Sequence, residues 1–62
     1  MKQVLDIVWN VEFVGDYFVL QTTVIANYEE QAIDIATNWL KEQYGFDMKR
    51  ISNQTSAYEV AQ

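Results

Sequence analysis

Two runs of alternating apolar and polar residues meet at Gly15-Asp16, in the stretch VEFVGDYFVL, and they constrain the fold more than any other feature. In residues 3–14 the apolar alternate positions are Leu5, Ile7, Trp9, Val11 and Phe13. In residues 17–26 the matching positions are Phe18, Leu20, Thr22, Val24 and Ala26. A period of two with β-branched and aromatic side chains is typical of a strand. The pattern therefore predicts a β-hairpin with strands over 3–14 and 17–26.

Gly15-Asp16 predicts a two-residue hairpin loop. Glycine in the first central position favours a type II′ turn, because it accepts a positive φ. Val14 would then face Tyr17, and one row further along Phe13 would face Phe18. This register places the apolar positions of both strands on one face, and a slip of one residue would destroy that match.

The stretch NYEEQAIDIATNWLKEQYGF predicts a helix over about residues 28–44. Asn27 is a favoured N-cap, and Glu30 three residues later suits a capping box. Gly45 is a favoured residue just beyond a helix end. Apolar residues cover about half of the helix circumference; they are Ala32, Ile33, Ile35, Ala36, Trp39, Leu40 and Tyr44. We expect this apolar face to pack on the hairpin with Trp39 buried, so that Trp39→Ala would unfold the domain.

The C-terminal stretch DMKRISNQTSAYEVAQ contains two short strand-like pieces, 48–52 and 57–61, with a polar interruption between them. One irregular strand over about 48–60 and a hairpin of two strands both fit this pattern, and we favour the single strand. A right-handed crossover through the helix places that strand beside the first one. The sequence therefore predicts one α+β domain over 1–62, with ββαβ order and a three-stranded antiparallel sheet ordered 2-1-3. One helix packs on one face of this sheet.

A single helix covers one face of such a sheet and leaves the other face open. Exposed apolar patches larger than a few hundred Å² usually mark contact sites, although antiparallel sheets also expose Val and Tyr to water. A domain this small also gains stability from burial against another chain. We predict that the open face, or the free edge of the second strand, binds a host or self protein, with a homodimer as one form. The expected partner-binding residues are Val8, Val14, Tyr17, Val19 and Ile25.

The residue types that most catalytic and metal sites use are absent. The 62 residues include no His and no Cys, which excludes imidazole and thiolate ligands, disulfides and a Ser-His-Asp triad. The glycines Gly15 and Gly45 are too far apart for a phosphate-binding loop. Glu29, Glu30 and Asp34 are explained by the helix dipole and by solvation. We expect no enzymatic activity, no cofactor and no metal site.

The acidic balance disfavours nucleic acid and anionic membranes as partners. The formal net charge is −5, and no Lys or Arg occurs between Gln3 and Leu40. Lys49-Arg50 is the one basic pair, and with nearby aromatics it supports an alternative, a nucleic-acid-binding accessory protein. A small structural subunit of a larger assembly is a further alternative. The N-terminal stretch is too short and too polar for a membrane span or a signal peptide, so we expect a cytoplasmic protein without membrane contact.

The stretch TTVIANYEEQAIDIATNWLKEQYG and the later AYEV carry a resemblance to a known group. They resemble small proteins of phages and other mobile elements, among them the DpnD/PcfM-like group, in having a hairpin, a Glu-Glu-x-Ala helix and a closing strand. The matching positions are Val24, Ala26, Glu29, Glu30, Ala32, Ala36 and Leu40. The resemblance implies a phage-encoded accessory protein in the host cytoplasm, and it transfers no site residues.

Overall fold

A computed structural model describes residues 7–60, which form a three-stranded antiparallel sheet with one long helix on one face. The elements in chain order are β1 (Ile7–Val14), β2 (Val19–Ala26), α1 (Glu29–Tyr44), α2 (Met48–Ile51) and β3 (Gln54–Glu59). The strand order is β2-β1-β3, and both neighbouring pairs are antiparallel. The predicted α+β class and strand order are confirmed. Residues 3–6 of the predicted first strand lie outside the described residues.

The β1–β2 hairpin is offset by two residues from the predicted register. Val14 pairs with Val19 instead of Tyr17, so residues 15–18 form the connection. The prediction of a two-residue loop was therefore wrong. The predicted assignment of side chains to the two faces of the sheet is still correct. Side chains alternate with a period of two, so an offset of two residues leaves each side chain on the same face.

Gly15 is required for a different reason from the predicted one. Within the described part of the chain Gly45 is the glycine with a positive φ, which rules out the type II′ turn at Gly15. A Cβ placed on Gly15 would instead overlap the ring of Phe18. Phe13 pairs with Leu20 and not with Phe18. The ring of Phe18 thus folds back over Gly15 at the hairpin end.

The start of α1 uses different capping residues from those predicted. The N-cap residue is Tyr28, which makes no side-chain cap hydrogen bond. Gln31 in the first turn reaches back to the residue before the N-cap, because its Oε1 accepts a 2.7 Å hydrogen bond from the backbone N–H of Asn27. The predicted N-cap at Asn27 and its capping box with Glu30 were therefore wrong, while the helix itself lies where it was predicted.

The segment that follows α1 contains a short helix that the sequence pattern did not predict. Gly45 ends α1 with φ 78°, as predicted for this position. Residues 48–52 then form no strand, since α2 occupies most of them and β3 begins only afterwards. Asp47 caps α2 by accepting a hydrogen bond from a backbone N–H of its turn. Met48 on α2 is buried in the core, and this burial holds the turn against α1.

The core lies between α1 and the inner face of the sheet. Ala32 and Ala36 are fully buried and Leu40 is 2% exposed, so a narrow stripe of α1 contacts the sheet. The small side chains let the helix backbone approach the strands closely. Val11 and Phe13 of β1 are fully buried beneath this stripe.

The two tryptophans have opposite environments. Trp9 is 8% exposed, and Trp39 is 47% exposed. The prediction that Trp39 is buried was wrong, because it lies about 100° around the helix axis from Leu40, on the flank of the buried stripe. The aromatic residue that belongs to the core is Trp9.

Candidate functional site at the edge of β2

β2 is an edge strand, and no other strand of residues 7–60 pairs with its outer side. Its eight residues, VLQTTVIA, include no charged residue and no proline. Its pairing with β1 is unbroken from Ile7–Ala26 to Val14–Val19, so no bulge twists it away. Natural edge strands are usually protected by short length, charge, proline or a bulge. β2 has none of these protections and therefore presents a template for another strand.

Alternate residues of β2 direct their backbone groups to this free edge. Gly15 N–H donates a 2.9 Å hydrogen bond to the carbonyl of Phe18, which identifies the ladder positions that bond to β1. Since bonded and non-bonded pairs alternate along an antiparallel ladder, the even-numbered residues of β2 bond to β1. The residues whose N–H and C=O groups point outward are Val19, Gln21, Thr23 and Ile25.

An apolar groove of about 560 Å³ runs along the same edge. Residues 22–25 of β2, Val8 of β1, and Ile35 with Trp39 of α1 line it, and none of them is charged. Ile35 is 39% exposed and Trp39 is 47% exposed. The backbone template and an apolar surface are therefore adjacent.

The five partner-binding residues predicted from the sequence occupy two separate places. Val14 and Val19 pair at the hairpin end, beside the loop residue Tyr17, which is 98% exposed. Val8 and Ile25 pair towards the other end of the strands, and both line the groove. The structure thus joins two of the five residues to the groove and leaves three near the loop.

The middle of the open face is polar and is hydrogen-bonded across the strands. Gln21 Nε2 donates to Glu12 Oε2 over 2.9 Å. On the other side of β1, Asn10 Nδ2 donates to the hydroxyl of Tyr58 over 2.7 Å. These pairs separate the two apolar ends of the face, which are Val14 with Val19 and Val8 with Ile25.

The sequence pattern did not indicate that Ile35 and Trp39 line a groove. Both were assigned to the buried face of α1 on the basis of helical periodicity. The available signal was the width of the apolar arc, which covered about half of the helix, whereas a helix that packs on one sheet needs a narrower stripe. Apolar residues at the margins of this wide arc, here Ile35 and Trp39, therefore lie on the flank of the helix.

The basic pair Lys49-Arg50 lies on the exposed surface of α2. Lys49 Nζ is 3.9 Å from Asp34 Oδ1. A second, more polar cleft brings Lys49 together with Glu30 and Asp34. The positive charge of this pair is therefore accompanied by carboxylates of α1.

Within residues 7–60, no three acidic side chains converge in a way that could hold a metal ion. Every buried side-chain nitrogen or oxygen in that part of the chain has a hydrogen-bond partner. Neither of the described helices is both long and apolar enough to cross a membrane.

Comparisons with protein-family models, with curated proteins and with solved structures gave no match to this chain. The edge of β2 and its groove are therefore interpreted from their own geometry and chemistry.

Proposed function

We propose that this chain is a non-enzymatic protein-interaction module that binds an extended segment of another polypeptide along the edge of β2. The observation that carries the proposal is an uncharged, regular edge strand with an apolar groove beside it. Strand addition of this kind takes its affinity from main-chain hydrogen bonds and its specificity from pockets for alternate side chains. β2 and its groove offer both.

The groove restricts the chemistry of the incoming segment. Side chains on the helix side of the added strand would pack on Ile35 and Trp39, which favours apolar residues at alternate positions. Those on the other side would lie next to Val19 and Ile25, which are 62% and 59% exposed. No residue of β2 or of the groove lining is charged, which favours an uncharged segment. The expected partner is an extended, non-acidic segment with alternating apolar residues.

The alternative of nucleic-acid binding has weaker support, because Glu30 and Asp34 accompany the single basic pair. A role as a structural subunit uses the same edge of β2 when the added strand belongs to a larger assembly. A phage or mobile-element origin, with action in the host cytoplasm, is supported by the sequence resemblance alone and is part of this proposal.

A peptide selection tests the proposal. A displayed library of random decapeptides is selected on the immobilised chain, and the affinities of the enriched peptides are measured by fluorescence anisotropy. We expect enrichment of sequences with alternating β-branched or aromatic residues. Thr23→Pro removes an outward N–H without breaking the β1–β2 ladder. This variant should weaken peptide binding by at least about tenfold, which is about 1.4 kcal/mol.

The matched control is Thr55→Pro, which makes the same exchange on β3, the other edge strand. Thr55 faces Phe13 of β1, at a position that alternation of the ladder makes non-hydrogen-bonded. This variant should bind the peptides as the unsubstituted chain does. Equal losses in both variants, or a failure to enrich any strand-like peptide, would contradict binding at the edge of β2.

A further inference from the structure

We infer that the strand that occupies the edge of β2 is β2 of a second copy of this chain, paired antiparallel about a two-fold axis through Thr22. Three strands from each copy then form one continuous sheet. This inference rests on the proposed function and identifies its partner. It specifies a register, which makes it testable residue by residue.

The register follows from which backbone groups are free. Outward N–H and C=O groups belong to the odd-numbered residues of β2, so an antiparallel copy must pair odd positions with odd positions. An axis through Thr22 does this along the whole strand. Val19 then faces Ile25 of the second copy, and Gln21 faces Thr23 of the second copy.

The side chains of β2 are self-complementary in this register. On the open face, Val19 lies beside Ile25 of the second copy, so apolar residues meet at both ends of the seam and polar residues meet in its middle. Moving the axis by one residue would set Val19 against Thr23, or Ile25 against Gln21. Apolar and polar residues would then face each other, which makes the register centred on Thr22 the favoured one.

The same axis closes the apolar groove. Thr22 lies on the side of the sheet that carries α1, and facing residues of neighbouring strands share a side, so both copies of α1 lie on the same face of the joined sheet. Trp39 and Ile35 of each copy then approach the seam from their own side. We expect this contact to reduce their exposure, which is 47% and 39% in the single chain.

Charge permits this contact between two acidic chains. Each copy carries a net charge of −5, yet no residue of β2 and no residue of the groove lining is charged. Along the paired residues 19–25 the two copies therefore meet without a carboxylate. The other edge strand, β3, is less suited because its six residues include Glu59.

A single introduced cysteine tests the register, since the chain has no cysteine of its own. Thr22→Cys would place two thiols in a facing, non-hydrogen-bonded pair with Cα atoms about 4.5 Å apart, within the range of a disulfide. We expect a disulfide-linked dimer to form under mild glutathione oxidation. In the matched variant Thr23→Cys, the two Cα atoms are offset by two residues along the strands and lie more than about 7 Å apart, so cross-linking should be at least about tenfold slower.

A charge pair gives an independent readout by native mass spectrometry. Thr22→Asp and Thr22→Lys each place like charges on the axis, so each variant alone should dissociate, and an equimolar mixture should form the heterodimer. Circular dichroism checks that both variants fold. Homodimers of either variant as tight as those of the unsubstituted chain would overturn the register.

Sedimentation equilibrium of the unsubstituted chain separates failure of this inference from failure of the proposed function. A dimer whose cross-linking follows position 22 supports the inference. A monomer up to millimolar concentration, or faster cross-linking at position 23 than at position 22, overturns it. The peptide selection with Thr23→Pro still decides the proposed function in that case, because it measures binding of other polypeptides to the edge of β2 and does not depend on self-association.

Discussion

The indole Nε1 of Trp9 donates a 2.9 Å hydrogen bond to the carbonyl of Ala26. The bond connects the central strand to the last residue of β2, at the point where the chain leaves the sheet for α1. Both residues belong to the buried core. Trp9 therefore stabilises the fold by its volume and also fixes the end of the strand that carries the candidate site.

Trp9→Ala is expected to destabilise the domain far more than Trp39→Ala does. Loss of a buried Trp costs about 3–5 kcal/mol, which is comparable to the whole stability of a domain this small. Trp39 is on the helix flank, and its removal should cost at most about 1 kcal/mol in the monomer. Urea denaturation at low micromolar concentration measures both values. A larger loss for Trp39→Ala would mean that α1 packs on the sheet in a different rotation.

Trp39→Ala should instead weaken association through the groove. Truncating an aromatic residue at the centre of an interface often reduces the binding free energy by more than about 2 kcal/mol. The matched control is Tyr44→Ala on the same helix, because Tyr44 is 59% exposed and does not line the groove. Sedimentation velocity over a concentration series gives the dissociation constants. An equal effect of the two substitutions would remove the groove from the binding surface.

The two glycines should respond differently to substitution, because each is required for a different reason. Gly45 has φ 78° and open space around its Cα, so Gly45→Asn should lose less stability than Gly45→Ala, which costs about 1–2 kcal/mol. At Gly15 a Cβ meets the ring of Phe18, and Gly15→Ala should cost about 1–3 kcal/mol. Asn should be worse than Ala at that position. Thermal denaturation of the four variants tests this reversal of order.

Amide hydrogen exchange along β2 should alternate with sequence position. The N–H groups of Leu20, Thr22 and Val24 bond to β1 and should be protected at any protein concentration. Those of Gln21 and Thr23 point to the free edge and should exchange rapidly in the monomer. They should become protected as the protein concentration rises and the second copy binds. Exchange measured by NMR at two concentrations tests this, and protection of Thr23 in a dilute monomer would contradict the free edge.

Local patterns in the sequence were sufficient for the elements and for the faces of the sheet. The period of two in β1 and β2 determined which side chains point inward, and this held although the register was offset by two residues. Periodicity and Gly45 located α1 to within one residue of its observed start and end. These features depend on residues that are close together in the sequence, so short stretches of sequence are enough to predict them.

The remaining features depend on contacts between distant parts of the chain. Burial of Met48 in the core places α2 against α1, where the pattern of residues 48–52 had predicted a strand. The candidate site follows the same rule. The sequence by itself determined that β2 is uncharged and alternating, whereas only the tertiary structure decided that its edge is adjacent to Trp39. The physical reason is that the rotation of α1 on the sheet is set by the stripe of side chains that packs most closely. Here Ala32 and Ala36 form that stripe, and Trp39 lies on the flank of the helix.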